Sequence, residues 1–115
     1  MRVLITGAGG QVGHELVAEL AGHDVVAADR ATLDITDRAT VLAAVTSLRP
    51  DAIVNAGAYT AVDACETEVE RAYRTNALAV RHLAEGARRT GAHLVHFSTD
   101  YVFDGTKPTA YDEWD

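Results

Sequence analysis

Residues 2–13 read Arg-Val-Leu-Ile-Thr-Gly-Ala-Gly-Gly-Gln-Val-Gly. Val3, Leu4 and Ile5 form a short apolar run with no alternation, and it stops at glycine. That pattern predicts a parallel strand over 2–6, buried on both faces. Beyond the glycines, Val12, Leu16 and Leu20 recur every four residues, with Val17 beside them and His14, Glu15 and Glu19 on the opposite side. This is the period of an amphipathic helix. Gly7 then allows a tight turn between strand and helix. Gly10 lets the backbone approach a pyrophosphate, which the free N–H groups and positive end of the helix would hold. Gly13 lets the helix pack closely. A glycine triplet alone is a weak sign of dinucleotide binding and is also a plain turn, but its place between a strand and a helix gives it weight.

Working outward, residues 24–28 predict a second strand ending at Asp29-Arg30, and 33–35 a very short third one. Thr36 or Asp37 is placed to cap the next helix. In it Val41, Ala44, Val45 and Leu48 share a face, and Pro50 forbids continuation. Residues 52–55 predict a fourth strand. A long helix is expected from about Glu66 to Arg89, with Tyr73, Ala77, Val80, Leu83, Ala84 and Ala87 as its apolar stripe and Gly91 closing it. Residues 93–97 predict a fifth strand, and the stretch after Gly105 shows no period. Alternating strands and helices imply an α/β, Rossmann-like parallel sheet with helices on both faces. Right-handed crossovers give the order 3-2-1-4-5, incomplete at the C-terminal end.

Bulk properties narrow the function. The 115 residues suit one domain. Hydrophobic residues are 48% and charged ones 23%, an ordinary globular balance. A net charge of −7 argues against a nucleic-acid partner, which needs clustered Lys and Arg. The single cysteine, Cys65, cannot form an internal disulfide, which suits a reducing, cytoplasmic setting. No stretch is expected to engage a membrane. His93 and His96 have no metal-ligand spacing and read as structural histidines, so no metal site is expected.

Asp29 stands sixteen positions after Gly13, at the end of the second strand. A carboxylate there accepts from the adenosine ribose hydroxyls of NAD, whereas Arg30 would pair with the 2′-phosphate of NADP. The two point to opposite cofactors, so NADH and NADPH both stay open, and each residue also reads as a solvated loop charge. Asp34 is placed to meet the adenine amino group, or else serves as a turn carboxylate.

Several segments together make the reading narrower. They are ITGAGGQVG at 5–13, LDITD at 33–37, RPDAIVNAGAYTAVDACE at 49–66, Asn76-Ala77, and HFSTDYVFDG at 96–105. With these the chain resembles the dTDP-4-dehydrorhamnose reductase family of extended short-chain dehydrogenases. The resemblance implies NAD(P)H-dependent reduction of the C4 ketone of a dTDP-linked sugar, dTDP-4-dehydro-L-rhamnose, to dTDP-L-rhamnose. It implies Gly7, Gly10, Gln11 and Val12 at the pyrophosphate, Asp34 and Ile35 at the adenine, and Ala56, Gly57 and Ala58 beside the central riboses. Tyr59 would stand near the nicotinamide. Thr99 would supply the catalytic hydroxyl to the C4 oxygen, and Asp100 and Tyr101 would line the sugar pocket. A homodimer is compatible with it. Bland readings stand beside these: Ser98-Thr99-Asp100 is a good turn sequence, and Tyr59 suits half-buried packing.

The family also needs a Tyr followed four residues later by Lys, to protonate the forming alkoxide. The tyrosines here are 59, 73, 101 and 111, the one lysine is Lys107, and no such pair occurs. The 115 residues alone are therefore expected to be inactive, as a fragment of a longer reductase. Two other readings remain: a 4-ketoreductase or epimerase acting on another deoxysugar nucleotide, and a non-catalytic cofactor-binding module like the regulatory subunit of methionine adenosyltransferase.

Overall fold

A computed structural model describes residues 1–115. Four strands, β1 (Arg2–Thr6), β2 (Asp24–Ala28), β3 (Ala52–Asn55) and β4 (His93–His96), form one parallel sheet in the order β2-β1-β3-β4. Leu4 pairs with Val26 on one side and Ile53 on the other, and Ile53 with Leu94. Because paired residues share a face, these four side chains present one apolar surface. Helices α2 (Arg38–Leu48) and α5 (Ala79–Thr90) cover it. Leu4, Ile53, Val41, Val45, Ala79, Leu83 and Ala87 all belong to the ten-residue core there. Gly86 lets the two helices close up, since a Cβ on it would lie 3.2 Å from Val45. The opposite face is thinner. Val3, Ile5 and Val54 are buried under α1 (Gln11–Glu19), whose Leu16 and Val17 are only half-buried.

The expected third strand does not form, so the order 3-2-1-4-5 is corrected to 2-1-4-5, the sheet β2-β1-β3-β4. Leu33 and Ile35 do point into the core, as alternate residues of a strand would. Their backbone is bonded otherwise. Asp29 Oδ1 accepts from the N–H groups of Ala31 (3.0 Å) and Thr32 (2.9 Å), and Asp34 Oδ1 from that of Thr36 (2.9 Å). These local side-chain bonds take donors that a ladder would need, and two consecutive turns result.

Of the two capping candidates Asp37 serves, accepting from Thr40 N–H at 2.9 Å. Helix α2 stops at Leu48, and Arg49 takes the left-handed conformation ahead of Pro50. The expected long helix is corrected in two ways. A separate turn of helix, α3 (Val62–Cys65), precedes it, and α4 (Val69–Tyr73) joins α5 through a π-turn at Arg74–Leu78. The π-turn shifts the phase, so Tyr73 and Ala77, expected in the apolar stripe, are exposed while Ala79 is fully buried; Ala84, within α5, is exposed as well. Strand β4 lies at the sheet edge. His93 and His96 are therefore exposed and not core residues. No helix is long and apolar enough to cross a membrane.

Candidate functional site

Parallel sheets bind ligands outside the carboxyl ends of their strands, where neighbouring connections diverge. Here β1 leads to α1 on one face and β3 leads to α4 and α5 on the other. A cleft of about 960 Å³ opens at that point. Gly7, Gly10, Asp29, Arg30, Asp34, Ile35, Ala56, Gly57, Ala58 and Tyr59 all line it. Ten of the sequence-predicted cofactor residues are thus brought together from three separate loops. Gln11 and Val12 form the exposed first turn of α1, next to Gly10.

The glycines are required by contact. Gly7 has φ +71°, and a Cβ on it would meet Gly57 N at 2.5 Å. The loops after β1 and β3 therefore touch backbone to backbone. A Cβ on Gly13 would lie 2.1 Å from the Gly7 carbonyl oxygen, so the first turn of α1 rests on the turn that precedes it. Gly10 is the N-cap of α1, and no side chain caps that end. The first N–H groups of a helix have no partner within it, and they carry its positive dipole end.

A buried polar chain fixes the neighbouring strand ends. Thr6 Oγ1 donates to Asn55 Oδ1 at 2.7 Å, Gly57 N–H donates to the same oxygen at 3.1 Å, and Asn55 Nδ2 lies 3.1 Å from His96 Nδ1. Thus Asn55 ties β1, β3, β4 and the cleft floor together. Sequence reading missed it; the signal was an amide closing an otherwise apolar strand.

The carboxylates around the cleft are held ionised. The Thr32 backbone N–H and hydroxyl, with Ala31 N–H, keep the Asp29 carboxyl below its ordinary range, and all three bonds go to Oδ1. The Thr36 hydroxyl (2.7 Å) and N–H do the same for Asp34, helped by the charges of Arg30 and Arg74. Tyr59 behaves differently. Its hydroxyl donates to Glu68 Oε2 at 2.7 Å, which pushes the phenol up. A raised phenol keeps its proton, so Tyr59 is a hydrogen-bonding wall of the cleft rather than an acid. Glu68, Arg71, Arg74 and Thr75 also line the cleft. None was legible as a site residue, because helix α4 meets the loop through tertiary contacts only.

Thr99, Asp100 and Tyr101 are not among the cleft-lining residues. They follow β4 in a single 3₁₀ turn, where Thr99 Oγ1 accepts from Tyr101 N–H (3.3 Å) and donates to Asp100 Oδ1 (3.2 Å). All three are exposed. No group of His, Cys, Asp and Glu side chains is arranged to hold a metal.

The family described as RmlD substrate binding domain matches residues 1–115. The chain belongs to the RmlD family. Among curated members, a dTDP-4-dehydrorhamnose reductase of Aggregatibacter actinomycetemcomitans is 47% identical over 99% of this chain and 40% of its own length. A probable dTDP-4,6-dihydroxy-2-methyloxan-3-one 4-ketoreductase of Streptomyces antibioticus is 51% identical, over 98% of this chain and 39% of its own. Among solved structures, the dTDP-4-dehydrorhamnose reductase of Bacillus anthracis, crystallised in complex with NADP, superposes with a TM-score of 0.92. It is 44% identical, with 99% of this chain and 41% of that one covered. The chain thus spans about 40% of the length of the RmlD relatives it matches.

Proposed function

We propose that residues 1–115 are the cofactor-binding part of a reductase that converts the C4 ketone of dTDP-4-dehydro-L-rhamnose to the alcohol of dTDP-L-rhamnose. The observation that carries this is the cleft. Glycine loop, strand-end carboxylates and the 56–59 loop converge at the carboxyl end of a parallel sheet, in a chain 47% identical to a reductase of that name. The residues fit a nicotinamide dinucleotide, because Gly7 and Gly57 clear the backbone for close approach and α1 presents an end that no side chain caps. When bound, NADPH or NADH supplies the hydride.

In this reading Gly7, Gly10, Gln11 and Val12 hold the pyrophosphate through backbone N–H groups. Asp29 accepts from the adenosine ribose hydroxyls when the cofactor is NADH, whereas Arg30 meets the 2′-phosphate when it is NADPH; Asp34 and Ile35 face the adenine. Ala56, Gly57 and Ala58 give a smooth wall beside the riboses. Tyr59 stands at the nicotinamide end. Thr99 donates its hydroxyl hydrogen to the C4 oxygen as charge develops there, and Asp100 and Tyr101 orient the sugar. We assign the proton donor to a part of the protein outside residues 1–115, since no tyrosine here has a lysine four positions on. The NADP complex of the Bacillus anthracis relative favours NADPH. We infer a cytoplasmic protein, possessing one half-buried thiol, Cys65, with a nucleotide-linked sugar as its partner and a homodimer as its assembly, and no nucleic acid or membrane partner.

A second reading, a 4-ketoreductase for another deoxysugar nucleotide, is favoured by the 51% identity to the Streptomyces antibioticus protein. One assay separates them. The whole protein is given NADPH and either dTDP-4-dehydro-L-rhamnose or a 4-ketosugar nucleotide lacking one hydroxyl, and kcat/KM is compared. A preference of at least about tenfold for the rhamnose precursor supports the first reading, because a site built to bond a hydroxyl rejects the analogue lacking it. The reverse preference supports the second, and absence of turnover on both removes the reductase assignment.

A further inference from the structure

Tyr59 is held at three points, and all three holders come from one continuous stretch of chain. Asn76 Oδ1 accepts from the Tyr59 backbone N–H at 2.8 Å, and Asn76 Nδ2 donates to the Tyr59 carbonyl oxygen at 2.9 Å. One amide side chain thus takes both backbone groups of one residue, as a neighbouring strand would. Glu68 Oε2 receives the Tyr59 hydroxyl at 2.7 Å. Arg71 donates to that same oxygen at 2.9 Å and lays its guanidinium 4.2 Å from the centre of the Tyr59 ring. Backbone, hydroxyl and ring face are each engaged.

The π-turn makes this arrangement possible. In an uninterrupted α-helix each residue advances about 100°, so Arg71 and Asn76, five apart, would point about 140° away from each other. The π-turn over Arg74–Leu78 adds one residue to the turn. The wider turn brings Asn76 round towards the side of Arg71, and both reach Tyr59. Beyond the turn, α5 continues in phase with the core, and Ala79, Leu83 and Ala87 stay buried. Such turns recur at functional sites. This one aims two side chains at a single loop residue of the cleft without disturbing the packing behind it.

We propose that Glu68, Arg71 and Asn76 are positioning residues for the cleft, which act through Tyr59 to fix the wall beside the reacting end of the cofactor. This deepens the proposed function and rests on its assignment of Tyr59. Glu68, Arg71 and Asn76 are themselves exposed, so global stability depends on them little. Their loss should therefore appear in binding and turnover before it appears in folding.

The test is a double-mutant cycle in the whole protein, reading the NADPH dissociation constant, kcat and KM of the ketosugar, and the thermal midpoint. Glu68→Ala is expected to lower kcat/KM about three- to tenfold, the size of one ordinary intramolecular hydrogen bond. In a Tyr59→Phe background, which lacks the hydroxyl, Glu68→Ala should cost less than about twofold more, because interacting residues are not additive. Asn76→Asp keeps the acceptor for the Tyr59 N–H and should lose less than Asn76→Ala. An equal cost of Glu68→Ala in both backgrounds, or wild-type behaviour of both Glu68→Ala and Asn76→Ala while Tyr59→Ala is impaired, overturns the clamp and leaves the cofactor reading standing. Unchanged NADPH affinity and turnover in Tyr59→Ala overturns the cofactor assignment of Tyr59, and the clamp's purpose with it.

Discussion

Two of the segments that the RmlD resemblance marks as functional, the turns after β1 and after β4, are built in opposite ways. After β1, Gly7 to Gly13 is wedged between the β3 loop and α1, with no room for a Cβ at either end of the segment. After β4, Thr99 to Tyr101 bonds chiefly to itself and is exposed; Tyr101 is 73% accessible. The stretch that follows folds back on its own residues as well, with Phe103 and Tyr111 stacked at 4.3 Å. The glycine turn is therefore part of the core's own packing, and its geometry is set by folding. The Thr99 hydroxyl is held only by Asp100 and Tyr101 of its own turn. Binding of the cofactor and delivery of the Thr99 hydroxyl should consequently be separable properties.

The strongest way to break the contrast is to add a side chain to the packed turn. Gly13→Val would drive a Cβ to 2.1 Å from the Gly7 oxygen. It should destabilise the fold by at least about 3 kcal/mol in chemical denaturation and abolish NADPH binding. A variant that folds and binds like wild type would show the turn to be loose. Asn55→Ala comes next. It strips the Thr6 hydroxyl and Gly57 N–H of a buried acceptor and should cost about 1–3 kcal/mol by the same measurement. On the exposed turn, Tyr101→Ser should change stability by less than about 0.5 kcal/mol, since the ring packs against little.

The pH dependence sharpens the contrast further. Asp29 and Asp34 beside the glycine turn are held below the ordinary aspartate value of 3.8, chiefly by Thr32 and Thr36. A carboxyl whose folded pKa is depressed contributes stability above its unfolded pKa and loses it as pH falls through the folded one. The contribution should therefore be complete at neutral pH and fade from somewhat above 3.8 downward. Thr36→Val removes the largest cause at Asp34, and should flatten that acid limb in denaturation curves taken at successive pH values. An acid limb as steep as that of wild type would contradict the assignment.

Local signals were the legible ones. The strands at 2–6, 24–28 and 52–55, the caps at Asp37 and Gly91, and the stop before Pro50 all follow from runs, breakers and capping chemistry that lie within a few residues. Residues 33–35 misled because their alternation is real: Leu33 and Ile35 do face the core. What overrode it was the competition of Asp29 and Asp34 for backbone donors, which periodicity does not register. The helix stripe failed at Tyr73 for a related reason. A π-turn changes phase without any residue that announces it. The glycine loop and strand-end acids of the cleft were readable from type and spacing. Glu68, Arg71 and Asn76 were not, since they matter only through contact with Tyr59 nine to seventeen residues away.

The central claim is that residues 1–115 carry a folded cofactor cleft and, apart from it, a hydroxyl for the ketone. Replacing Thr99 by valine in the whole protein tests it most directly, with NADPH affinity measured by titration and kcat on dTDP-4-dehydro-L-rhamnose measured alongside. We expect NADPH affinity to stay within about twofold of wild type, while kcat falls about 10²-fold, as for removal of one donor to a developing oxyanion. Unchanged kcat, or a loss of NADPH affinity that matches the loss of turnover, would contradict it.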